Sequence, residues 1–590
     1  NLIGLAADGD TIRGNTGRGI YLSNAKSNRI EANVVSANQD GIFVRGTSTG
    51  NQIITNVIGL DATGQFARGN TGDGINIDSG SPLIRDNVIA NNSGNGVSIS
   101  GPGSSIDASA ISWFKGEDAT DAVGSNDGTF VNGATSGPGI NGNALSFDGG
   151  TGYVQLAGTQ SALDITGNAV TVEAWVNPTN YTQANPQNLQ TVFDKYFTND
   201  YNGYLLGLAD GRIRFQVATD TNKTFIANSA EQIPLNEWTH IAGTYDGSSV
   251  RLYINGAEVL NVPHSGNILS NSYDARIGND NGDNLTYGFF GSIDELAVYD
   301  QALSSGQLAI IHALSGVGKQ GAVVQSNKIG LNATGTSALG NSASGIDVRS
   351  ATGTLIGSVT PGLGNVISGN IGDGVSGDGT ARILGNSIYD NDGLGIDVDP
   401  DGATPSGAPV ITSVVNSAGG ATVAGVLSGV SASSEYRVEI FSSADPDPSG
   451  YGEGEVFLGS TTLTTDGSGD ASFSLVLASP LNVNDDITAT ATIHSGGTTE
   501  FSQSVPVAAT LLVTNTNDSG AGSLREALLS SNSLPGTNTI EFDIPGAGPH
   551  TIQPLSALPT ITDPVVIDGS TEPYFAGTPI IELNGTSTVS

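Results

Sequence analysis

The sequence predicts an all-β chain. A parallel β-helix is interrupted by an antiparallel sandwich, then followed by a second sandwich and the opening coils of a further helix. Three observations predict this. A motif of asparagine, glycine and alternating apolar residues returns about every 22 residues, the spacing of one solenoid coil. The motif vanishes over residues 106–315, where all three tryptophans (Trp113, Trp175 and Trp238) stand. Glycine reaches 83 of 590 residues while proline stays at 23, which suits many tight turns and excludes collagen or a proline-rich linker.

The repeat is explicit. Asn15-Thr-Gly-Arg-Gly19 precedes Ile-Tyr-Leu22, and Asn70-Thr-Gly-Asp-Gly74 precedes Ile-Asn-Ile77. The same asparagine-to-glycine step recurs at Asn92, Asn341, Asn370 and Asn391, with a version one residue shorter at Asn38. A second signature, Asn-x-Ile-Gly-Leu, starts at Asn1, Asn56 and Asn327, and a third, Asn-x-(Val/Ile)-x-x-Asn, at Asn33, Asn365 and Asn386. Each coil would stack its Ile and Val on the coil below, because one coil cannot bury its apolar face alone. The inward asparagines are placed to form hydrogen-bonded ladders at the bends. These segments, 1–105 and 316–404, resemble the right-handed, pectate-lyase-like β-helix of bacterial surface proteins.

Residues 106–315 interrupt this pattern. Their removal shrinks the Asn92-to-Asn327 interval to the length of a coil, so the insertion is expected in one loop, between Gly96–Ser100 and Ala322–Gln325. Alternating runs such as Ala169–Asn177, Arg212–Ala218, Thr239–Tyr245 and Ser292–Tyr299 read as antiparallel strands of a sandwich. Trp113-Phe-Lys-Gly-Glu, Ala144-Leu-Ser-Phe-Asp-Gly149, Val170-Thr-Val-Glu-Ala-Trp-Val176, Trp238-Thr-His-Ile-Ala-Gly-Thr-Tyr-Asp246 and Gly291-Ser-Ile-Asp-Glu-Leu-Ala-Val-Tyr299 carry a resemblance to the LamG-like jellyroll, a concanavalin A-like fold. Strand spacing over 405–509 suits an Ig-like sandwich. Residues 510–590 resemble the entry segment of a β-helix, with Ser523-Leu-Arg-Glu526 at capping-box spacing.

Charge and composition bound the function. The net charge is −37, with 20 basic residues against 57 acids, and no cysteine or methionine is present. A polyanion without a basic stripe excludes nucleic-acid binding. The absence of cysteine excludes disulfides, thiolate metal sites and thiol nucleophiles. A chain without Met is expected to be a cut through a longer polypeptide. Its acidic, Gly/Asn/Thr/Ser-rich make-up reads as secreted or displayed on a bacterial cell surface.

Candidate chemistry lies mostly in the insertion. The jellyroll resemblance implies a calcium ion, Ca2+, held by Asp294 on the closing strand together with Asp148 and Gly149 of the Phe-Asp-Gly turn. Ca2+ takes six to eight oxygens and often mixes carboxylates with backbone carbonyls. The polar loop Asn279-Asp-Asn-Gly-Asp-Asn284, with Asp280 and Asp283, could hold calcium or sugar; plain turn chemistry explains it equally. Tyr181, Tyr196, Tyr201, Tyr204 and Tyr287 offer stacking faces for a sugar ring, with Tyr201 and Tyr287 as ligand-binding candidates. Asp397, Asp399 and Asp401 alternate along one strand end, a pattern two glycosidase carboxylates could use. No spacing marks a nucleophile elbow or a zinc site, so no catalytic residue is assigned. The expected function is an extracellular adhesion or glycan-binding protein, its partner a polysaccharide or cell-surface glycan, with a protein partner also open. The alternatives are a polysaccharide lyase or glycoside hydrolase working in the helix groove, and a purely structural stalk.

Overall fold

The computed structural model describes the chain except residues 102–109, 141, 157–161, 184, 198–199, 281–285, 315–320, 399–406, 418–419, 446, 484, 494–495, 535–536 and 588–590. Residues 1–101 and 321–398 wind into one solenoid of three parallel sheets. The first and second sheets hold seven strands each and the third holds six. The solenoid runs unbroken across the insertion. Val97–Ser100 pairs with Ile75–Ile77 on one side and Ile346–Arg349 on the other, while Val323–Gln325 pairs with Ser81–Arg85. The sandwich therefore replaces a single connection between the second and third sheets.

The repeat asparagines form two ladders. In one, each side-chain amide donates to the next asparagine's Oδ1 from Asn1 through Asn33, Asn56, Asn87, Asn327 and Asn365 to Asn386, at 2.7–3.0 Å. In the other, Asn15, Asn38, Asn70, Asn92, Asn341, Asn370 and Asn391 do the same. Each ladder satisfies buried backbone groups at a bend, where the sheet bonds lapse and an unpaired group would cost about 1–3 kcal/mol. Inside, Ile30, Ile53 and Ile84 of the third sheet stack in register on Val324 and Ile356, all buried.

The inserted sandwich packs two large antiparallel sheets. Asn143–Asp148, Phe290–Tyr299, Val170–Pro178, Thr239–Tyr245 and Ser249–Ile254 belong to one; Leu189–Asp194, Tyr204–Ala209, Arg212–Val217 and Phe225–Gln232 belong to the other. Phe114, Val172, Phe193, Leu206, Phe215 and Phe289 fill the space between them.

A helix that the strand pattern does not predict, Ser305–Ala313, welds the sandwich to the solenoid. Ser304 caps it, and Gln307 completes a capping box. Leu308 and Ile311 pack with Tyr253 and Tyr299 of the sandwich and with Leu83, Val323 and Leu355 of the third sheet. Gly50, at φ +64°, leaves room for Gln307, which a Cβ there would strike.

Residues 410–506 form a sandwich of a three-stranded and a four-stranded antiparallel sheet. It closes the solenoid's end: Phe441 and Phe501 join the solenoid core, and Glu453 accepts hydrogen bonds from the Asp390 and Asn391 amides at 2.9 and 3.1 Å. In 510–587, Thr510–Val513, Asn538–Phe542 and Val565–Asp568 pair in parallel. Helix Leu524–Ser531 covers them, its Glu526 amide donating to Ser523 Oγ. Among the described residues no helix is long and apolar enough to cross a membrane.

Candidate glycan site on the inserted sandwich

The outer face of the sheet containing Tyr204–Ala209 and Arg212–Val217 carries a cavity of about 190 Å³. Its walls come from segments far apart in sequence. Asp194 ends one strand and Tyr196 follows it, Tyr201 tops the next loop, and Leu205 and Gln216 form the floor. Asp280 and Tyr287 arrive on the loop after Arg276–Ile277. Of the expected ligand-binding residues, Tyr201, Tyr287 and Asp280 thus share one cavity. Asp283 lies outside the described residues.

Local geometry fixes the parts. The Tyr196 amide donates to Asp194 Oδ1 at 2.7 Å, and the Tyr196 hydroxyl donates to the Lys223 carbonyl at 3.1 Å. Burial raises the Tyr196 pKa, so the phenol stays protonated and keeps donating. Tyr201 sits at φ +52°, a left-handed conformation unusual for a bulky residue, and the residue is 48% exposed. Asn279 is fully buried and ties the Asp280 loop down, its amide donating to Gly150 O at 3.1 Å and its Oδ1 accepting from the Tyr287 amide at 3.3 Å. The Arg276 guanidinium donates to Asp280 O at 2.7 Å. Beside the cavity, burial lowers the Arg214 pKa.

Two of the five tyrosines do other work. Tyr204 points into the core, its hydroxyl donating to Leu163 O at 2.9 Å, and burial pushes its pKa well above the ordinary phenol range. Tyr181 donates to the Ile233 carbonyl and covers Gly211. Asp194 and Gln216 were not anticipated from the sequence. Alternation along Arg212–Val217, with Ile213, Phe215 and Val217 in the core, is the signal that turns Gln216 outward.

The expected metal residues are not brought together. Leu145 pairs with Ile293 and Asp148 with Phe290, so Asp294 stands level with Ala144, four residues or about 13 Å along the strand from Asp148. Asp148 is exposed, and Gly149 lies by the Asn279 loop, its carbonyl accepting from Gln183 Nε2 at 2.9 Å. Asp294, only 1% exposed, instead faces Gly116, Gly139 and Asn143. Its Oδ2 accepts from the Ile140 amide at 2.9 Å and its Oδ1 from the Glu295 amide at 2.8 Å. A Cβ on Gly116 would sit 2.8 Å from Asp294 Oδ1 and press on the Asn143 carbonyl oxygen. This oxygen-lined cradle of one carboxylate and a backbone carbonyl has the donor chemistry calcium takes. Among the described residues no group of three or more His, Cys, Asp or Glu side chains gathers as a metal cluster. Asp397 stands at the solenoid's last described coil, opposite Ser376; Asp399 and Asp401 lie outside the described residues.

Comparison with known proteins decides the fold of the insertion. Residues 148–309 match the "Concanavalin A-like lectin/glucanases superfamily". The inserted sandwich is a concanavalin A-like domain. Residues 6–67 match "Periplasmic copper-binding protein (NosD)", a parallel β-helix family. Human and mouse pappalysin-1 are each 29% identical, over 138 and 126 residues, covering 22% and 20% of this chain and 8% of theirs. The chain therefore spans less than a tenth of those relatives. Among solved structures, domain 4 of a Geobacillus stearothermophilus arabinanase, in complex with arabinotriose, is 22% identical. It covers 34% of this chain and 97% of its own, with a TM-score of 0.28. A Trypanosoma rangeli sialidase is 13% identical, covering 35% of this chain and 32% of its own, with a TM-score of 0.27.

Proposed function

We propose that this is an extracellular, surface-displayed glycan-binding protein. Its solenoid serves as a rigid mount, and the concanavalin A-like domain takes sugar at the Tyr201–Tyr287 cavity. One observation carries the reading: Tyr196, Tyr201 and Tyr287 converge with Asp194, Asp280 and Gln216 around a single cavity. Aromatic faces cover the C–H side of a sugar ring, while carboxylate and amide oxygens accept its hydroxyl protons. No covalent chemistry is required.

Isothermal titration against a panel of oligosaccharides tests this. A binder should lose about tenfold in affinity on Tyr287→Ala, in line with the loss of one aromatic contact. A panel that yields no binder, or a binder indifferent to both Tyr201→Ala and Tyr287→Ala, overturns it.

Calcium belongs to the same reading. Asp294, with the Asn143 carbonyl and the Gly116 turn, would hold the ion, which would pin the first segment of the domain to its closing strand. Binding to the folded state alone stabilises it by about 2.7 kcal/mol at a hundredfold excess over Kd. Calcium should raise the melting midpoint of the native chain but not of Asp294→Asn. A midpoint indifferent to calcium removes the ion.

A further inference from the structure

A second, larger cavity of about 540 Å³ opens where the concanavalin A-like domain meets the third sheet of the solenoid. That volume falls in the range of small-molecule sites, about 300–1,000 Å³. We propose that it is a separate site for a neutral oligosaccharide, shared between the solenoid and the domain.

Its two sides differ in chemistry. The domain contributes Trp238, half-buried, and Trp175, whose ring stacks on His312 at 5.4 Å and 20°. The solenoid contributes outward-facing side chains from successive rungs. Gln52 stands in register with Arg29, and Gln325 with Arg85. Rungs lie about 4.8 Å apart. Leu83 stands level with Gln52, and Arg85 two residues further along, so the sheet offers two amide–guanidinium pairs, Arg29–Gln52 and Arg85–Gln325, on either side of Leu83. Asn255, on the turn after Ser249–Ile254, and Glu258, on the following strand Ala257–Pro263, close the near end. A ligand with one apolar face and a polar hydroxyl edge matches this pairing.

Charge selects the class of sugar. Arg29 is held by both carboxylate oxygens of Glu31, at 2.6 and 2.7 Å, and Arg85 lies 3.4 Å from Asp86. Glu258 faces Arg251 at 3.7 Å. His312 is neutral, its pKa pushed down to about 3 by burial and then by His240. The fixed charges around the cavity are matched, and a protein of net charge −37 repels polyanions. A neutral chain fits, whereas a uronate chain would meet no spare cation at the arginines.

The site has its own optical reporter. Trp175 and Trp238 line it, and no tryptophan lines the tyrosine cavity. The test titrates the full chain with xylotriose, cellotriose, arabinotriose, mannotriose and a galacturonate trimer while tryptophan emission is followed. The expected result is a saturable emission change with at least one neutral trimer. It should be lost in Trp238→Ala, weakened at least tenfold in Gln52→Ala and unchanged in Tyr287→Ala. Gln52 lies on the solenoid, so that variant decides the matter even if Trp238→Ala fails to fold. Emission unmoved by every neutral trimer overturns the proposal, as does a response that survives both cavity variants. Loss on Tyr287→Ala would assign the response to the other site, and preference for the galacturonate trimer would overturn the neutral assignment.

Discussion

The solenoid and the concanavalin A-like domain bury polar groups by opposite means. The solenoid repeats one solution: an asparagine at each bend accepts from the asparagine before it and donates to the one after, rung upon rung. The domain uses single contacts between distant segments. Trp113 Nε1 donates to Glu295 Oε2 at 2.7 Å, and His240 Nε2 meets Glu173 Oε2 at 3.0 Å with both side chains fully buried. A nearest-neighbour stack can be extended, or interrupted at one loop, without retuning its other rungs. A sandwich closed by long-range contacts has room for unique cavities, and both candidate sites draw on it.

The largest expected effect strikes the repeated element. Asn56 accepts from the Asn33 backbone and side-chain amides, and donates to Ile30 O and Asn87 Oδ1. Asn56→Leu strands several buried groups at once and should cost about 3 kcal/mol or more. Urea denaturation followed by circular dichroism should gain an early solenoid phase. Tryptophan emission, all of it from the inserted domain, should keep its main midpoint, with only a minor early change from Trp175 and Trp238 beside the solenoid. Coincident shifts in both signals would break the comparison, showing that the helix Ser305–Ala313 couples the two bodies into one cooperative unit.

A smaller effect is expected where the ladder ends. Glu453 caps the last rung, and its pKa is pushed up to about 7, mainly by burial, with Asp447 and Asp390 adding repulsion against the two amide donors. For an acid raised above its unfolded value, the protonated form stabilises the fold. That contribution is present below about 4.5 and is lost as pH rises through about 7. The junction should therefore melt lower at pH 8 than at pH 5, and Glu453→Gln should flatten the difference. A midpoint that rises over this window contradicts the assignment.

The same contrast governs what the sequence discloses. Asn33, Asn56 and Asn327 announce their ladder because a solenoid contact recurs at a fixed separation. Strand motifs locate Asp148 and Asp294 on the strands Asn143–Asp148 and Phe290–Tyr299, but not the four-residue offset that parts them, since register is set by pairing. Tyr204 and Leu205 sit in an apolar run with no alternation to say which faces the core. Trp175 and Trp238 marked the fold, and their place in a cavity depended on the solenoid packing beside them. Only the helix Ser305–Ala313 left an overlooked local signal, the Ser304-to-Gln307 capping box.

Burial also grades the asparagines themselves. Asn28 repeats the ladder bond, its amide donating to Asn51 Oδ1 at 2.9 Å, yet Asn28 is exposed while Asn51 is buried. Water can replace the partner that Asn28→Ala removes at the open edge, so the expected cost is under about 1 kcal/mol. Asn51→Ala has no such relief: it would strand Ala25 O, which accepts from Asn51 at 2.7 Å, inside the turn. Comparing the two variants by urea denaturation isolates burial from bond count. Equal losses would mean that the ladder acts through geometry alone, while a several-fold larger loss at Asn51 ties its worth to the exclusion of water.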